Sequence, residues 1–430
     1  MKKYLPLFLV EGYLLFTLVI YNFGPVHFTG HNSLLFVLVM TLCHLGFIVG
    51  YCIASGYQKQ NSFKLEVKFS SSFFYVSFFL GVIGILNTYK NLMLSQSIIP
   101  YDIINEVVRG LNEPGAVYAE RIAQLSSVGA GSESASRLLN VVSIFIAFFK
   151  LFFIYMFLYF WKDIGFFKRL LSVLYSLLFI SAGVSSGTNS VVFIFFIFFM
   201  FSLLTILYVR KYKHFSKIMI CMILLFFIPL GGFGYIMSQR GGGFDYFAST
   251  SPLGDISVLV ETPALDSILD FYYYSVVWMN YYLVQGYYGF SLILSLDWNW
   301  TYGFGNSAFL QRQLLVLTGV DVAGLTFQSR VSDVWDVNAQ WHSFYGQFAN
   351  DFGFVGLALL MCFLGYFLAR VWLSIIYNNS FYGVALIPLF MLMFVFFPAN
   401  NQVFGYIDTL SYFIFVGALW LFEGKRIRFI

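Results

Sequence analysis

Charge is what this sequence has least of. Asp, Glu, Lys and Arg make up 10% of its 430 residues, against about a quarter in soluble domains. That scarcity excludes a water-soluble globular protein. With 60% hydrophobic residues, 22% aromatic residues and a mean hydropathy of +0.79, the chain reads as an integral membrane protein. Cysteine is scarce as well. Cys43, Cys52, Cys221 and Cys362 all sit in apolar stretches with no CxxC spacing, which argues against disulfides and against a zinc site. No HExxH spacing supports a metal at Asp333, Asp336 and His342. Internal repeats, low-complexity tracts and a soluble cytoplasmic domain are all missing, which excludes cytoplasmic nucleotide chemistry. At the N-terminus, Lys2 and Lys3 precede an apolar run as in a signal peptide, but Glu11 interrupts it and no small-residue cleavage site follows. An uncleaved first span is expected.

What is present is long apolar sequence. A hydrocarbon core about 30 Å thick needs about 20 apolar residues to cross, and ten such stretches are legible: Tyr4–Tyr21, Ser33–Ala54, Ser71–Thr88, Val141–Trp161, Leu170–Ala182, Val191–Tyr208, Ile218–Met237, Gly353–Leu373, Phe381–Phe397 and Val403–Phe422. With the N-terminus inside, one face carries sixteen cations and three carboxylates, the other seven cations and fifteen carboxylates. Lys and Arg favour the cytoplasmic side, and an even number of spans returns Lys425, Arg426 and Arg428 there. Both termini are therefore expected in the cytoplasm. One stretch complicates the count. Phe271–Leu296 is apolar enough to enter lipid and is expected to form a re-entrant or interfacial pair of short helices, or two crossings. The expected fold is an all-α polytopic membrane protein of ten to twelve transmembrane helices.

Nearly all polar sequence falls in two external segments, Tyr89–Asn140 and Ser238–Phe352. The first reads as an amphipathic helix over Tyr101–Leu111, a break at Asn112-Glu113-Pro114-Gly115, and a second helix around Tyr118–Arg121. The second opens with Arg240 and the glycines Gly241, Gly242 and Gly243, where backbone N–H groups can approach a ligand. It ends in Trp341-His342-Ser343 and Asp351-Phe352-Gly353-Phe354-Val355-Gly356.

Six of the seven external cations are arginine, although the inner face favours lysine. Guanidinium forks grip phosphate oxygens in pairs, so Arg240, Arg330 and Arg121 are candidates for a lipid diphosphate; the plainer reading is ordinary salt bridges to external carboxylates. His342, between aromatics at a span entrance, suits proton acceptance from a sugar hydroxyl if its pKa is near neutral; the plainer reading is a packed interface residue. Asp351 reads equally well as a helix N-terminal acid, and Gly353 and Gly356 as close helix packing. Tyr287, Tyr288, Trp298 and Trp300 suit either sugar stacking or an interface belt. Lys150, Glu11 and Asp408 lie within spans, where charge is costly, and Lys150 is expected to pair with Glu11 or with another acid.

The register of His342, Asp351, Gly353 and Gly356 resembles the O-antigen ligase and Wzy-type polymerase superfamily, in which an external His precedes by nine residues an acid at a span entrance, followed by Gly-x-x-Gly. The span entrance Asp351-Phe352-Gly353 is closer to the oligosaccharide repeat-unit polymerases. Two departures stand out: Ser343 occupies a position that is Asn in ligases, and the turn at Gly187-Thr188-Asn189 lacks the arginine many relatives carry, which makes Arg121 the substitute candidate. The resemblance implies a GT-C-like, membrane-embedded, inverting, metal-independent glycosyltransferase without a cofactor, in the bacterial cytoplasmic (inner) membrane with an extracytoplasmic active site. Its donor and acceptor would both be undecaprenyl diphosphate-linked oligosaccharides. A chain-length regulator, a flippase and the surrounding membrane lipid are the further implied partners, with no nucleic acid. The residue roles implied are His342 and Asp351 as catalytic or positioning groups and Arg240, Arg330 and Arg121 on the diphosphate. The rival readings are a lipid-linked oligosaccharide flippase or polysaccharide transporter, and an O-antigen ligase.

Overall fold

The computed structural model describes residues 2–56, 67–93, 102–127, 137–240 and 242–423. Tyr101, Gly241, Lys425, Arg426 and Arg428, named above, and Lys59, Lys64, Glu66 and Glu133, included in the charge counts, lie outside the described residues. In chain order the helices are α1 Leu5–Phe23, α2 Ser33–Gly56, α3 Ser71–Met93, α4 Ile103–Asn112, α5 Pro114–Ser127, α6 Arg137–Tyr159, α7 Phe166–Ser185 and α8 Ser190–Val209. They continue with α9 Phe215–Arg240, α10 Asp245–Ala248, α11 Ile268–Ile293, α12 Ala308–Thr318, α13 Phe327–Arg330, α14 Phe344–Asn378, α15 Phe381–Phe396 and α16 Ile407–Glu423. Two three-residue strands, β1 Val26–Phe28 and β2 Ile256–Val258, pair antiparallel.

Each of the ten apolar stretches falls on one helix. Among the described residues, seven of these helices, α1, α2, α3, α7, α8, α9 and α14, are long and apolar enough to cross a membrane; α15 is a shorter apolar helix, and within α6 the stretch Ile144–Tyr159 is apolar. The helices run up and down between two ends. At one end, Trp372 and Tyr51 donate to the carbonyls of Lys2 and Lys3, Tyr155 donates to Phe381 O, and Arg210 donates to Tyr159 O. At the other end lie α4, α5, α10 to α13 and the β1–β2 pair. This loop-bearing end is capped by local sequence: Asp102, Ser267, Ser307, Thr326 and Ser343 each accept from a backbone N–H in the first turn of the helix that follows. Pro114 opens α5, where a missing N–H is harmless.

The tightest pairing is α2 against α14, running parallel. A Cβ on Gly46 would come within 2.5 Å of Ala358 O, and one on Gly50 within 1.8 Å of Cys362 O. Close packing through glycine therefore falls at Gly46 and Gly50, not at the expected Gly353 and Gly356. Gly353 instead holds φ 64° and ψ 177° inside α14, breaking it into Phe344–Phe352 and a longer second part. That backbone region is open essentially only to glycine. At Gly356 an added methyl would meet Phe352, on its own helix, first.

The expected pair of short helices over Phe271–Leu296 is instead one continuous 26-residue helix, α11. Its first turns lie against the middle of α9, where Tyr272 Oη donates to Phe227 O at 3.3 Å and Ser275 fills the space over Gly234. Its later turns reach the loop-bearing end, where Gly286 O accepts from Ser343 N at 3.3 Å. The intramembrane charges are paired: Lys150 binds Asp408, the other acid rather than Glu11, and Thr88 Oγ1, while Glu11 bonds His44 Nδ1 at 2.7 Å.

Candidate functional site

The site is assembled where α5, α9, α11, the entrance of α14 and the α15–α16 turn meet. Arg240, in the last turn of α9, lays its guanidinium over the Tyr118 ring of α5, 3.3 Å from the centroid, and its Nη1 reaches Gly187 O at 3.5 Å. Arg121 lies on the same helix as Tyr118, close enough to Arg240 for their charges to oppose each other. Burial, aided by the Arg240 charge, holds the Arg121 guanidinium below its ordinary pKa. Its Nε is buried with no hydrogen-bond partner among the described residues. Among the described residues, four ion pairs form, and the one that uses an external arginine is Arg109–Glu120. The salt-bridge reading thus fits Arg109. Arg121 and Arg240 are two adjacent cations framed by tyrosines, with no carboxylate paired to them among the described residues, so within those residues their positive field is uncompensated.

Arg330 is not brought to this pair. It is exposed, donates to Asp297 O at 2.5 Å and lies by the Phe327 ring.

A polar thread joins the arginine pair to the α14 entrance. Tyr406 lies within the field of Arg121 and beside Asn400; Asn400 Oδ1 accepts from Gln347 Nε2 at 3.1 Å, and the same Nε2 reaches His342 O at 3.2 Å. On the other side, Tyr282 packs edge-on against Trp341, ring centroids 4.9 Å apart. Asn400, Gln347, Tyr118 and Tyr282 were not singled out from the sequence. The polar triplet Asn400-Asn401-Gln402 between two apolar stretches was the available signal.

His342 is 3% exposed. It is seated by Gly289 of α11, whose added Cβ would lie 2.9 Å from Trp335 Nε1 and 3.1 Å from His342 Nδ1. Neither ring nitrogen makes a well-formed hydrogen bond. Burial, opposed only by the Trp335 backbone, lowers its pKa from 6.5 to about 3. The expected near-neutral titration is therefore corrected: low dielectric disfavours the imidazolium, and the ring stays neutral.

Asp351 has a different role from the one expected. Its carboxylate accepts from Thr301 Oγ1 at 2.5 Å, from the N–H groups of Gly303, Gly305 and Asn306 at 2.9–3.0 Å, and from Asn306 Nδ2 at 2.7 Å. It neither caps α14, which Ser343 caps, nor bonds His342. It clamps the 301–306 loop against the kink at Gly353. Asp336, once considered with Asp333 and His342, caps the local turn at Asn338 N, 2.9 Å. Among the described residues no three His, Cys, Asp or Glu side chains gather as metal ligands.

The fold defines a class, an all-α polytopic membrane protein. Comparison with family models, curated proteins and solved structures finds no match in any of the three.

Proposed function

We propose that this protein is a GT-C-like glycosyltransferase that polymerises undecaprenyl diphosphate-linked oligosaccharide repeat units at the outer face of the bacterial cytoplasmic membrane. The observation that carries this reading is the Arg121–Arg240 pair, two guanidiniums on neighbouring helices with no carboxylate paired to either among the described residues. A diphosphate supplies the missing negative charge, and in a partly buried site that charge-assisted grip is strongest on the leaving group. The acceptor hydroxyl oxygen forms a bond to the donor's anomeric carbon as the bond from that carbon to the diphosphate oxygen breaks, and the configuration inverts. Diphosphate leaves with the bonding electrons, and its oxygen takes up the acceptor's proton. His342, neutral and with idle nitrogens, accepts a hydrogen bond from the acceptor hydroxyl and orients it; a base whose pKa is near 3 does not retain the proton. Contact with substrate requires the packing over the 3% exposed ring to open. Asp351 shapes the loop beside it, and Arg330 is given no part in holding the diphosphate.

The test is the surface-glycan ladder from cells carrying single substitutions. Arg121→Gln and Arg240→Gln should leave single repeat units on lipid, while Arg330→Gln should keep the ladder. Unchanged ladders in the first two remove the site. Loss of every surface unit, single ones included, points to flipping instead.

A further inference from the structure

We propose that residues Asp297–Val320 form a foot inserted into the lipid leaflet at the loop-bearing end, with Trp298 and Trp300 at its tip and α12 lying along the leaflet. This rests on exposure, depth and continuity, and is independent of the reaction.

Exposure comes first. α12 is an 11-residue helix with no buried residue, and Leu315, Val316, Leu317 and Val320 all face outward. Trp298, Trp300 and Tyr302 are half exposed as well, with Trp300 at 56%. A helix with no buried residue beside outward tryptophans is an apolar surface that water does not favour.

Depth follows from the α2–α14 register. Gly46 faces Ala358, Gly50 faces Cys362 and Gly365 faces Phe47, contacts that bracket the level of Gly353 between Leu35 and Thr41. Those positions lie two to eight residues, about 3–12 Å, along α2 from its start at Ser33. α2 is apolar and outward-facing from its first turn, with Leu34 82% exposed. Trp298 packs on Gly353, its ring 3.4 Å from where a Cβ would be, and its Nε1 donates to Asn350 O at 2.8 Å. The tip of the foot therefore sits alongside the spanning part of α2, not above it.

Continuity supplies the occupant. Phe352, Val355, Leu359 and Phe363 form an outward apolar stripe down α14, at the helical spacing of a lipid-facing side. Trp298 sits at the head of that stripe. Tryptophan and tyrosine settle at the bilayer interface, and a short helix with an outward apolar side lies in the interface plane. The Asp351 clamp on residues 301–306 and the bond from Asn401 Nδ2 to Asn306 O at 2.7 Å hold the foot to the bundle.

The test uses the full chain in nanodiscs of phosphatidylethanolamine and phosphatidylglycerol. Nitroxides are placed one at a time at Leu315→Cys, Val316→Cys, Leu317→Cys and Val320→Cys, with Cys52, Cys221 and Cys362 replaced by Ala. Accessibility to oxygen should exceed that to an aqueous nickel chelate several-fold at these positions. Chelate accessibility dominating at all four overturns the proposal, as does spin–spin broadening between labels, which would make the surface a contact between two copies. A second measurement avoids labels: replacing Trp298 and Trp300 by Phe should remove emission that lipids brominated near the top of the acyl chain quench in the parent protein. If the emission removed is instead the fraction quenched by aqueous acrylamide, the foot is outside the leaflet.

Discussion

At the residue scale, a buried neutral imidazole and a five-bond carboxylate make opposite demands on the fold. His342 binds a proton in the unfolded chain below its ordinary pKa of 6.5 but in the folded protein only near 3. Between those values the unfolded state takes up more protons, so stability falls as pH drops through that window. His342→Phe should flatten this acid limb in a thermal-unfolding series from pH 7 to pH 4. A slope equal to the parent's would show that the ring is not buried neutral. Asp351→Ala should be more damaging, because it strands three backbone N–H donors of the 303–306 loop at about 1–3 kcal/mol each. A loss of ~3 kcal/mol or more, read as a fall in Tm, is expected. Gly353→Ala, forced to φ 64°, should lose about 1–3 kcal/mol although almost nothing crowds the added methyl. The sequence marked His342, Asp351 and Gly353 as a group but not what each does. Asp351's partners lie 45–50 residues earlier, a separation that no spacing rule reaches. The burial that moves His342 comes from α11, through a glycine that looks ordinary in the sequence.

At the element scale, each long apolar stretch could be read because lipid imposes the same requirement on every spanning helix. α11 was harder. Its tyrosines and glycines gave it the look of an interfacial segment broken in two, yet they serve to pack it inside the protein, with Tyr287 and Tyr288 both fully buried. Charge pairing was illegible for a related reason, since partners in a bundle are set by which helices touch. α6 touches α3 and α16, so Lys150 meets Thr88 and Asp408; α1 touches α2, so Glu11 meets His44. Breaking a buried pair from one side leaves an uncompensated charge, at about 3–5 kcal/mol. Lys150→Met and Asp408→Leu should each destabilise strongly, and the double variant should recover part of the loss. A double variant as unstable as the sum of the singles would show that the two side chains do not interact.

At the scale of the whole molecule, the spanning helices deliver their connecting segments to one end, and there the chain places two arginines without a counter-charge among the described residues. The charge asymmetry of the sequence fits this division, since the loop-bearing end is the one rich in carboxylates and arginine. The separation of Arg330 from Arg240 was not legible, because both are external arginines near a span, and only the path of the 297–330 segment sends one of them outward. The most direct measurement of the central claim is a reconstitution: purified protein in nanodiscs, supplied with undecaprenyl diphosphate-linked repeat units and followed on a gel. The account predicts that the parent protein converts single units into a ladder with release of undecaprenyl diphosphate, and that Arg121→Gln and Arg240→Gln fail to do so while remaining folded. A parent protein that leaves the units single, or arginine variants that build the ladder at the parental rate, would contradict it.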